Sequence, residues 1–306
     1  MNRAVIAGFD KPISRLVIGS LVCSTDTQSE TNELLDSYIA AGGNCIDTAH
    51  VYGEKSERAV GQWIKDRGNR DSIVLIGKGA HHDSSGSRVH AQGIEEDILE
   101  SLKRFQADYI DIYLLHRDDT SVPVGPVVEA LNIHLKAGRI RAFGGSNWST
   151  DRIQEANTYA ASHALTGFIA SSPYYGLAVA NGPVWPGCIS LDAAGRKWHE
   201  EHQFPLFPWS SQAGGFFTGR FSPGDGDTSD TGRTYYSDIN WERLARAREM
   251  GEAKGCTANN IALAYVLHLP FPVFPLIGPR SVEELASSLP ALDIHLTAYD
   301  ILYLEV

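Results

Sequence analysis

The chain has 306 residues, of which 43% are hydrophobic, and its formal net charge is −11 at pH 7. This acidic balance, with no run of Lys and Arg, argues against a surface that binds nucleic acid. No apolar stretch approaches the ~20 residues that span a bilayer. No leader-like segment opens the sequence, and we expect a cytoplasmic protein that does not bind membranes.

The four cysteines are far apart and form no CxxC pair: Cys23, Cys45, Cys188 and Cys256. This spacing is typical of free thiols in a reducing compartment, and it favours neither a disulfide framework nor a zinc site. We therefore expect a protein without a metal.

Short β-branched runs alternate with helical patterns along the whole chain, which is typical of repeated βα units and a parallel sheet. Eight strands are predicted, at residues 16–20, 45–49, 72–78, 109–116, 140–146, 168–174, 205–211 and 273–278. Eight is the number that a closed (β/α)8 TIM barrel requires. Since no internal repeat or linker is visible, we expect one α/β domain over residues 1–306.

Two predicted helices have recognisable features. Residues 27–30 (TQSE) match a capping box that predicts the start of the first helix, and the pair Gly42-Gly43 predicts its end. A later helix should pack one apolar face on the barrel, since its apolar residues recur at helical spacing: Ile94, Ile98, Leu102 and Phe105.

An unusually long loop follows the predicted seventh strand. It runs over residues 212–239, is rich in Gly, Ser, Asp and Tyr, and ends at a helix predicted from about Asn240. Loops of this length are commonly lids or binding loops, or else disordered. Its segment 225–230 begins like a calcium loop but has no Gly at the sixth position, and the twelfth position is Tyr236 rather than Glu. An acidic lid is therefore favoured over a calcium site. A further helix is predicted over residues 257–269.

Three polar residues each end a predicted buried strand: Asp47, Lys78 and His116. Tyr52 follows Asp47 by five positions, so a short loop can bring its phenol to the same place. In a parallel barrel the carboxyl ends of the strands form the catalytic face. A free phenol has a pKa of about 10, but a nearby ammonium favours the phenolate, and a carboxylate would keep that ammonium charged. The four side chains therefore predict that the Tyr52 phenol can act as an acid, because its neighbours adjust its pKa.

Several ordered segments support a more specific interpretation: 47–53 (DTAHVYG), 114–117 (LLHR), 144–148 (GGSNW), 208–219 (PWSSQAGGFFTG) and 275–280 (PLIGPR). In these segments the chain resembles the aldo-keto reductases, and the resemblance extends over nearly its whole length. It implies reversible hydride transfer between a nicotinamide and an aldehyde or ketone on a barrel. By the same resemblance Tyr52 is the general acid, Lys78 and Asp47 tune it, and His116 orients the carbonyl.

The resemblance also implies how the cofactor is held. Ser146 and Asn147 match positions that bind the nicotinamide carboxamide, and Trp209 matches one that stacks on its ring. Further matching positions extend toward the pyrophosphate and the adenosine: Ser172, Ser210, Gln212, Gly214, Gly278, Arg280, Ser281, Glu284 and Ser288. Because a guanidinium suits the 2'-phosphate dianion, Arg280 favours NADP(H).

Three positions depart from the family's usual pattern, and they keep NAD(H) open as an alternative cofactor. Ser172 stands where the family usually has Gln, Glu284 stands at another Gln position, and the pair 287–288 reads Ser-Ser instead of Glu-Asn. In the loops, His81 and Trp148 are expected to line the substrate pocket, while Trp185 fits either the pocket or loop packing.

Two other classes of protein remain as alternatives. A nicotinamide-binding regulatory protein or redox sensor could use the same scaffold with little turnover. A sugar-phosphate isomerase or hydrolase would need paired carboxylates or metal ligands at the strand ends, and the sequence offers neither. The small-molecule carbonyl or alcohol substrate, the direction of reaction and the oligomeric state cannot be derived from these patterns.

Overall fold

The computed structural model describes residues 1–306 and shows a parallel sheet curled into a barrel. The strands are β1 (Arg3–Ile6), β2 (Phe9–Ser14), β3 (Val17–Gly19), β4 (Cys45–Asp47), β5 (Val74–Gly79), β6 (Ile110–Leu115), β7 (Ile140–Ser146), β8 (Ser171–Ser172) and β9 (Leu276–Ile277). Strands β3 to β9 form one sheet in the order β8-β7-β6-β5-β4-β3-β9. The predicted (β/α)8 barrel is confirmed.

Eleven α-helices accompany these strands. They are α1 (Gln28–Ala40), α2 (Glu54–Arg67), α3 (Ala91–Phe105), α4 (Val124–Lys136), α5 (Thr150–Ser162), α6 (Ala193–His202), α7 (Asp230–Tyr235), α8 (Asp238–Lys254), α9 (Ala258–Leu267), α10 (Val282–Ser288) and α11 (Ala298–Glu305). None of them combines the length and the apolar composition that a bilayer crossing needs.

The predicted seventh strand is irregular, and it closes the barrel. Residues 205–209 pair through single bridges, Leu206 with both Ser171 and Val273, and Trp209 with Tyr174. Prolines interrupt the ladder because they have no N–H to donate. Their carbonyls still accept: Ser171 N donates to Pro205 O at 3.0 Å, Leu206 N to Pro272 O at 2.9 Å and Leu276 N to Pro208 O at 2.9 Å.

The alternation of side chains along the strands determines what the barrel mouth contains. One buried apolar cluster fills the barrel interior, with side chains that include Cys45, Val74, Ile76, Ile112, Leu114, Ala142, Ala170, Phe207 and Phe274. Successive inward positions on a strand are two residues apart. The next inward positions toward the carboxyl ends are occupied by Asp47, Lys78, His116, Ser172 and Trp209, and on β7, after Gly144, by Ser146.

An antiparallel hairpin of β1 and β2, which the sequence analysis missed, covers the opposite end of the barrel. Its apolar residues Ile6, Phe9 and Ile13 belong to the interior cluster. Lys11 Nζ lies 2.7 Å from the buried carboxylate of Asp111 on β6. The hairpin therefore closes the amino end of the barrel and leaves the carboxyl end as the open mouth.

The helix ends differ in detail from the predictions. Thr27 precedes α1 but its side chain makes no capping hydrogen bond, so the predicted capping box is wrong. Ser24 instead accepts from Asp26 N at the preceding 3-10 turn. The predicted apolar face of α3 is buried at Ile94, Ile98 and Phe105.

The long segment after residues 205–209 is folded back on itself. It contains a 3-10 turn (Ala213–Thr218) and the short helix α7 before α8 begins at Asp238. The Asp225 carboxylate accepts from Ser222 N at 3.0 Å and from the Tyr236 hydroxyl at 2.7 Å. The Asp225 carboxylate is thus used in local hydrogen bonds, and the lid stays a prediction.

Candidate active site

A buried ion pair lies at the centre of the barrel mouth. Lys78 Nζ is 2.6 Å from each carboxylate oxygen of Asp47, and it also donates to Thr48 O at 3.1 Å. Both side chains are almost fully buried. Because β4 and β5 are adjacent and parallel, their final inward residues meet across one strand spacing.

This pair keeps the Lys78 amine positively charged at a position where burial favours the neutral form. Burial by itself lowers the pKa of Lys78, but the attraction of Asp47 and of Tyr52 outweighs burial and raises it. Burial raises the pKa of Asp47, and Lys78 opposes that rise. The lysine is consequently an ammonium at neutral pH and has no tendency to donate its proton.

Tyr52 reaches this pair from a 3-10 turn (His50–Tyr52) that directly follows β4. Lys78 Nζ lies 5.5 Å from the centroid of its ring, and the ring meets His116 edge to face with 6.2 Å between centroids. Burial raises the pKa of Tyr52, and the charge of Lys78 opposes the rise. The expected net lowering of this pKa is therefore wrong, since burial outweighs the ammonium and the phenol is protonated at neutral pH.

His116 is the third polar group of the mouth and follows β6. Its backbone N–H donates to Gly79 O at 2.7 Å, which fixes the imidazole beside the end of β5. Burial, the charge of Lys78 and the charge of Arg117 lower its pKa well below the usual value of 6.5. The ring is neutral at physiological pH, and its buried Nδ1 has no hydrogen-bond partner within the protein.

The turn after β7 ties the neighbouring strands to His116. Asn147 has φ +59°, a left-handed conformation that Asn tolerates better than most residues. Its Nδ2 donates to His116 O at 3.2 Å, while its Oδ1 accepts from Ile189 N at 3.2 Å. Ser146 Oγ donates to Ser172 O at 2.8 Å. These bonds hold the side chains of Ser146 and Asn147 at the floor of the barrel mouth.

All four of the predicted catalytic residues line one cavity of about 770 Å³, within the size range typical of ligand sites. Ten of the twelve predicted cofactor positions line it too: Ser146, Asn147, Trp209, Ser210, Gln212, Gly214, Gly278, Arg280, Glu284 and Ser288.

Two predicted cofactor positions do not line the cavity. Ser172 is fully buried, its carbonyl accepts from Ser146, and its own hydroxyl has no hydrogen-bond partner within the protein. Ser281 does not line the cavity either, and its hydroxyl oxygen caps helix α10 by accepting from Glu284 N at 3.3 Å.

The substrate end of the cavity also differs from the expectation. His81 lines it, stacked on His82 at 4.3 Å and edge-on to His116 at 5.0 Å between centroids. Trp148 does not line it, so that prediction is wrong. Its side chain is buried outside the cavity, where its Nε1 donates to Arg117 O at 3.0 Å.

Sequence reasoning missed several residues of the cavity wall, most of which come from segments without regular periodicity. These include Leu21, Val22, Val51, Arg117, Cys188, Arg220 and, on helix α9, Asn259. Trp185 lines the cavity and also stacks on Trp209 at 5.8 Å between centroids. Only Arg117 had a signal in the sequence, since a charged residue directly follows His116 at a strand end.

The other end of the cavity has features that suit a phosphorylated dinucleotide. The backbone is left-handed at Ser210, Ala213, Gly214 and Gly215, and turns of this kind can present N–H groups to phosphate oxygens. Arg280 is exposed at the rim, and its guanidinium forms no ion pair with the protein. Trp209 Nε1 and Asn259 Oδ1 are buried polar atoms without a protein partner. The residues present therefore fit a nicotinamide dinucleotide.

Comparison with known proteins is consistent with this geometry. A sequence profile of the Aldo/keto reductase family matches residues 15–305. The chain is 31% identical to norsolorinic acid reductase stcV of Emericella nidulans, covering 91% of this chain and 72% of that protein. It is 33% identical to "Probable aryl-alcohol dehydrogenase AAD4" of Saccharomyces cerevisiae, covering 89% and 86% respectively.

We predict that Asp47→Asn strongly destabilises the fold, because it leaves the Lys78 ammonium buried without its counter-charge. Breaking a buried pair in this way costs about 3–5 kcal/mol in the free energy of unfolding, which urea denaturation followed by circular dichroism will measure. The matched control is Asp26→Asn, which breaks an exposed pair with Lys55 and should cost no more than about 1 kcal/mol. Equal losses in the two variants would contradict the assignment of the pair as buried and essential.

Proposed function

This chain belongs to the aldo/keto reductase family, and from that premise we propose that it is an NADP(H)-dependent enzyme that interconverts an aldehyde or ketone and its alcohol. The proposal depends mainly on one observation, the convergence of a phenol, a buried lysine–carboxylate pair and a neutral imidazole on one cavity. We also propose a cytoplasmic location, which the free cysteines support.

Tyr52 is the proton donor in this proposal because its neighbours are unsuited to the role. Loss of a proton from Lys78 would leave the buried Asp47 carboxylate without a counter-charge. His116 is neutral, and a neutral imidazole N–H is a far weaker acid than an imidazolium. The Tyr52 phenol is protonated at neutral pH, and the ammonium of Lys78 stabilises the phenolate that forms as the proton leaves.

His116 has an orienting role. A neutral imidazole provides one N–H, which can donate to the carbonyl oxygen and hold it next to the phenol of Tyr52. Because its pKa lies well below 6.5, the ring does not compete for the transferred proton at physiological pH. The backbone bond from His116 N to Gly79 O keeps this geometry rigid.

A bound nicotinamide supplies the hydride. In this proposal Asn147 and Ser146, which line the cavity, bind its carboxamide, and Trp209, which also lines it, lies against its ring. Trp209 is itself supported by Tyr174, with 5.4 Å between the ring centroids, and by Trp185. This packing limits the movement of the Trp209 indole, so that the indole covers a defined face of the nicotinamide ring.

We propose NADP(H) over NAD(H) because of Arg280. Its guanidinium is exposed, has no carboxylate partner and lies at the rim of the cavity, where it can bind a phosphate dianion. The Glu284 carboxylate beside it accepts from the Arg280 backbone N–H at 2.7 Å, and that bond directs the carboxylate toward the backbone. NAD(H) remains the alternative, and parallel titrations with NADPH and NADH will decide.

We predict that Tyr52→Phe lowers the rate of carbonyl reduction by at least about 100-fold, since it removes the acid and leaves the cavity shape unchanged. The rate is measured as loss of NADPH absorbance with 4-nitrobenzaldehyde, and NADPH binding is followed by fluorescence. The dissociation constant for NADPH should change by less than about twofold, because the hydroxyl is not part of the proposed cofactor contacts. Tyr299→Phe, at an exposed tyrosine, is the control. A Tyr52→Phe enzyme with the parental rate would rule out the assigned acid.

The pH profile of reduction provides a second prediction. With Tyr52 as the acid, kcat/KM stays level between about pH 6 and 9 and falls only when the phenol ionises at higher pH. If an imidazolium of His116 donated the proton, the rate would instead fall as the pH rises through the pKa of His116, which lies well below 6.5. Stopped-flow measurements extended down to about pH 4 distinguish the two, and a descending limb anywhere below about pH 8 would contradict the proposal.

A further inference from the structure

We propose that the substrate carries an anionic group, most simply a carboxylate, and that Arg117 binds it inside the cavity. This inference rests on the proposed function and specifies the class of substrate that the same site accepts.

The guanidinium of Arg117 is buried without a counter-charge. The residue is 7% exposed and lines the cavity directly after His116. Its Nε donates to Pro186 O at 3.3 Å and its Nη1 donates to His116 O at 2.9 Å. Both acceptors are neutral carbonyls. Of the five N–H groups of a guanidinium, three are left without a protein acceptor, including both on Nη2.

Elsewhere in the chain, several arginine and lysine side chains that reach into the interior are paired with a carboxylate. Lys78 pairs with Asp47, Arg104 with Glu57, and Arg88 with Asp97. Arg15 and Arg243 bind only backbone carbonyls, as Arg117 does, but both are half-buried, whereas Arg117 is buried. The acid next to Arg117 in sequence, Asp118, is bound by Arg152 at 3.1 Å. Since an isolated charge becomes more unfavourable the more deeply it is buried, a structural role alone accounts poorly for Arg117.

The groups around Arg117 do not supply the missing negative charge. The imidazole of His116 is neutral, and burial lowers the pKa of His81. Burial raises the pKa of the Cys188 thiol, which therefore stays protonated at neutral pH. Asp230 lines the same cavity, but its carboxylate is bound by Arg233 and accepts from Trp185 Nε1. A ligand is the remaining source of an anion.

The phosphates of the cofactor are poorly placed to be that anion. Gly214 and Arg280, the candidate phosphate contacts, follow the seventh strand segment and β9. Arg117 follows β6, which is separated from the seventh segment by β7 and β8 and from β9 by β5, β4 and β3 around the barrel. It adjoins His116, where the carbonyl is held, so an anion bound there belongs to the substrate.

The free edge of Arg117 suits a carboxylate because a guanidinium can donate two parallel hydrogen bonds to its two oxygens. Trp185, whose side chain is partly exposed in the cavity wall, offers an apolar surface between this anchor and the solvent. Together they favour a flat, partly apolar carbonyl compound with a carboxylate near the reacting group.

The experiment compares carboxybenzaldehydes with their uncharged methyl esters. The 2-, 3- and 4-carboxy isomers are reduced with NADPH by the parental enzyme and by Arg117→Met, Arg117→Lys and Arg58→Met. Arg117→Met removes the charge but retains similar bulk. Arg117→Lys retains the charge but cannot donate two parallel hydrogen bonds to a carboxylate. Arg58→Met removes an exposed charge on α2, outside the cavity, as a matched control.

For at least one isomer, we expect the parental enzyme to prefer the acid over the ester in kcat/KM. Arg117→Met should lower kcat/KM for that acid by about 10- to 100-fold, the range for a lost hydrogen bond to a charged group. The same substitution should change kcat/KM for the ester by less than about threefold. A merely structural role of Arg117 would instead lower kcat/KM for the acid and the ester alike. Arg117→Lys should retain part of the preference, and Arg58→Met all of it. No acid preference in any isomer, or equal losses for acid and ester, would overturn the inference.

A binding measurement separates this inference from the proposed function. If no aldehyde is reduced by any variant, the proposed function fails, and calorimetric titration with isophthalate then tests Arg117 alone. Binding to the NADPH-saturated parental protein that weakens at least about 10-fold in Arg117→Met would support the inference. Equal binding to both proteins, or binding to neither, would overturn it.

Discussion

The buried pair of Lys78 and Asp47 is the interaction on which the rest of the site depends. It places an ammonium within reach of Tyr52 and His116 in a region with little water, where charge acts over a longer range than at the surface. The carboxylate that keeps this ammonium charged also prevents it from acting as a competing acid. The same charge helps to keep His116 neutral. One ion pair thereby assigns different roles to three titratable side chains.

The barrel makes this pair possible because its interior is closed at one end and polar at the other. The hairpin of β1 and β2 seals the amino end with Ile6, Phe9 and Ile13. Apolar side chains then fill the interior up to the last inward position of each strand. Each of those last positions faces the mouth, so the polar side chains converge there by geometry. Arg117, one residue beyond such a position, adds a charge with no protein counter-charge.

The strand-end residues were predictable, since a period of two determines the inward face once the strands are assigned. Beyond the strand ends that rule no longer applies. Asn147 adopts a left-handed conformation, and Trp148 then packs against Phe168, 5.0 Å between centroids, instead of lining the pocket. Ser281 caps helix α10, and the spacing of Ser281 and Glu284 does indicate such a cap, but the resemblance to the family pointed to a cofactor contact instead. The sequence also did not indicate that the pKa of Tyr52 is raised, because this shift depends on how deeply the phenol is buried.

The central claim is that Tyr52 is a protonated phenol at neutral pH, because burial opposes its ionisation more than the ammonium of Lys78 favours it. The most direct measurement is 13C NMR of tyrosine labelled at Cζ, comparing the parental protein with Tyr52→Phe to assign the signal. The account predicts that the Tyr52 signal stays at the phenol position from about pH 6 to 10, because its pKa is raised above the ordinary value of about 10. Movement to the phenolate position at or below about pH 8 would contradict the account.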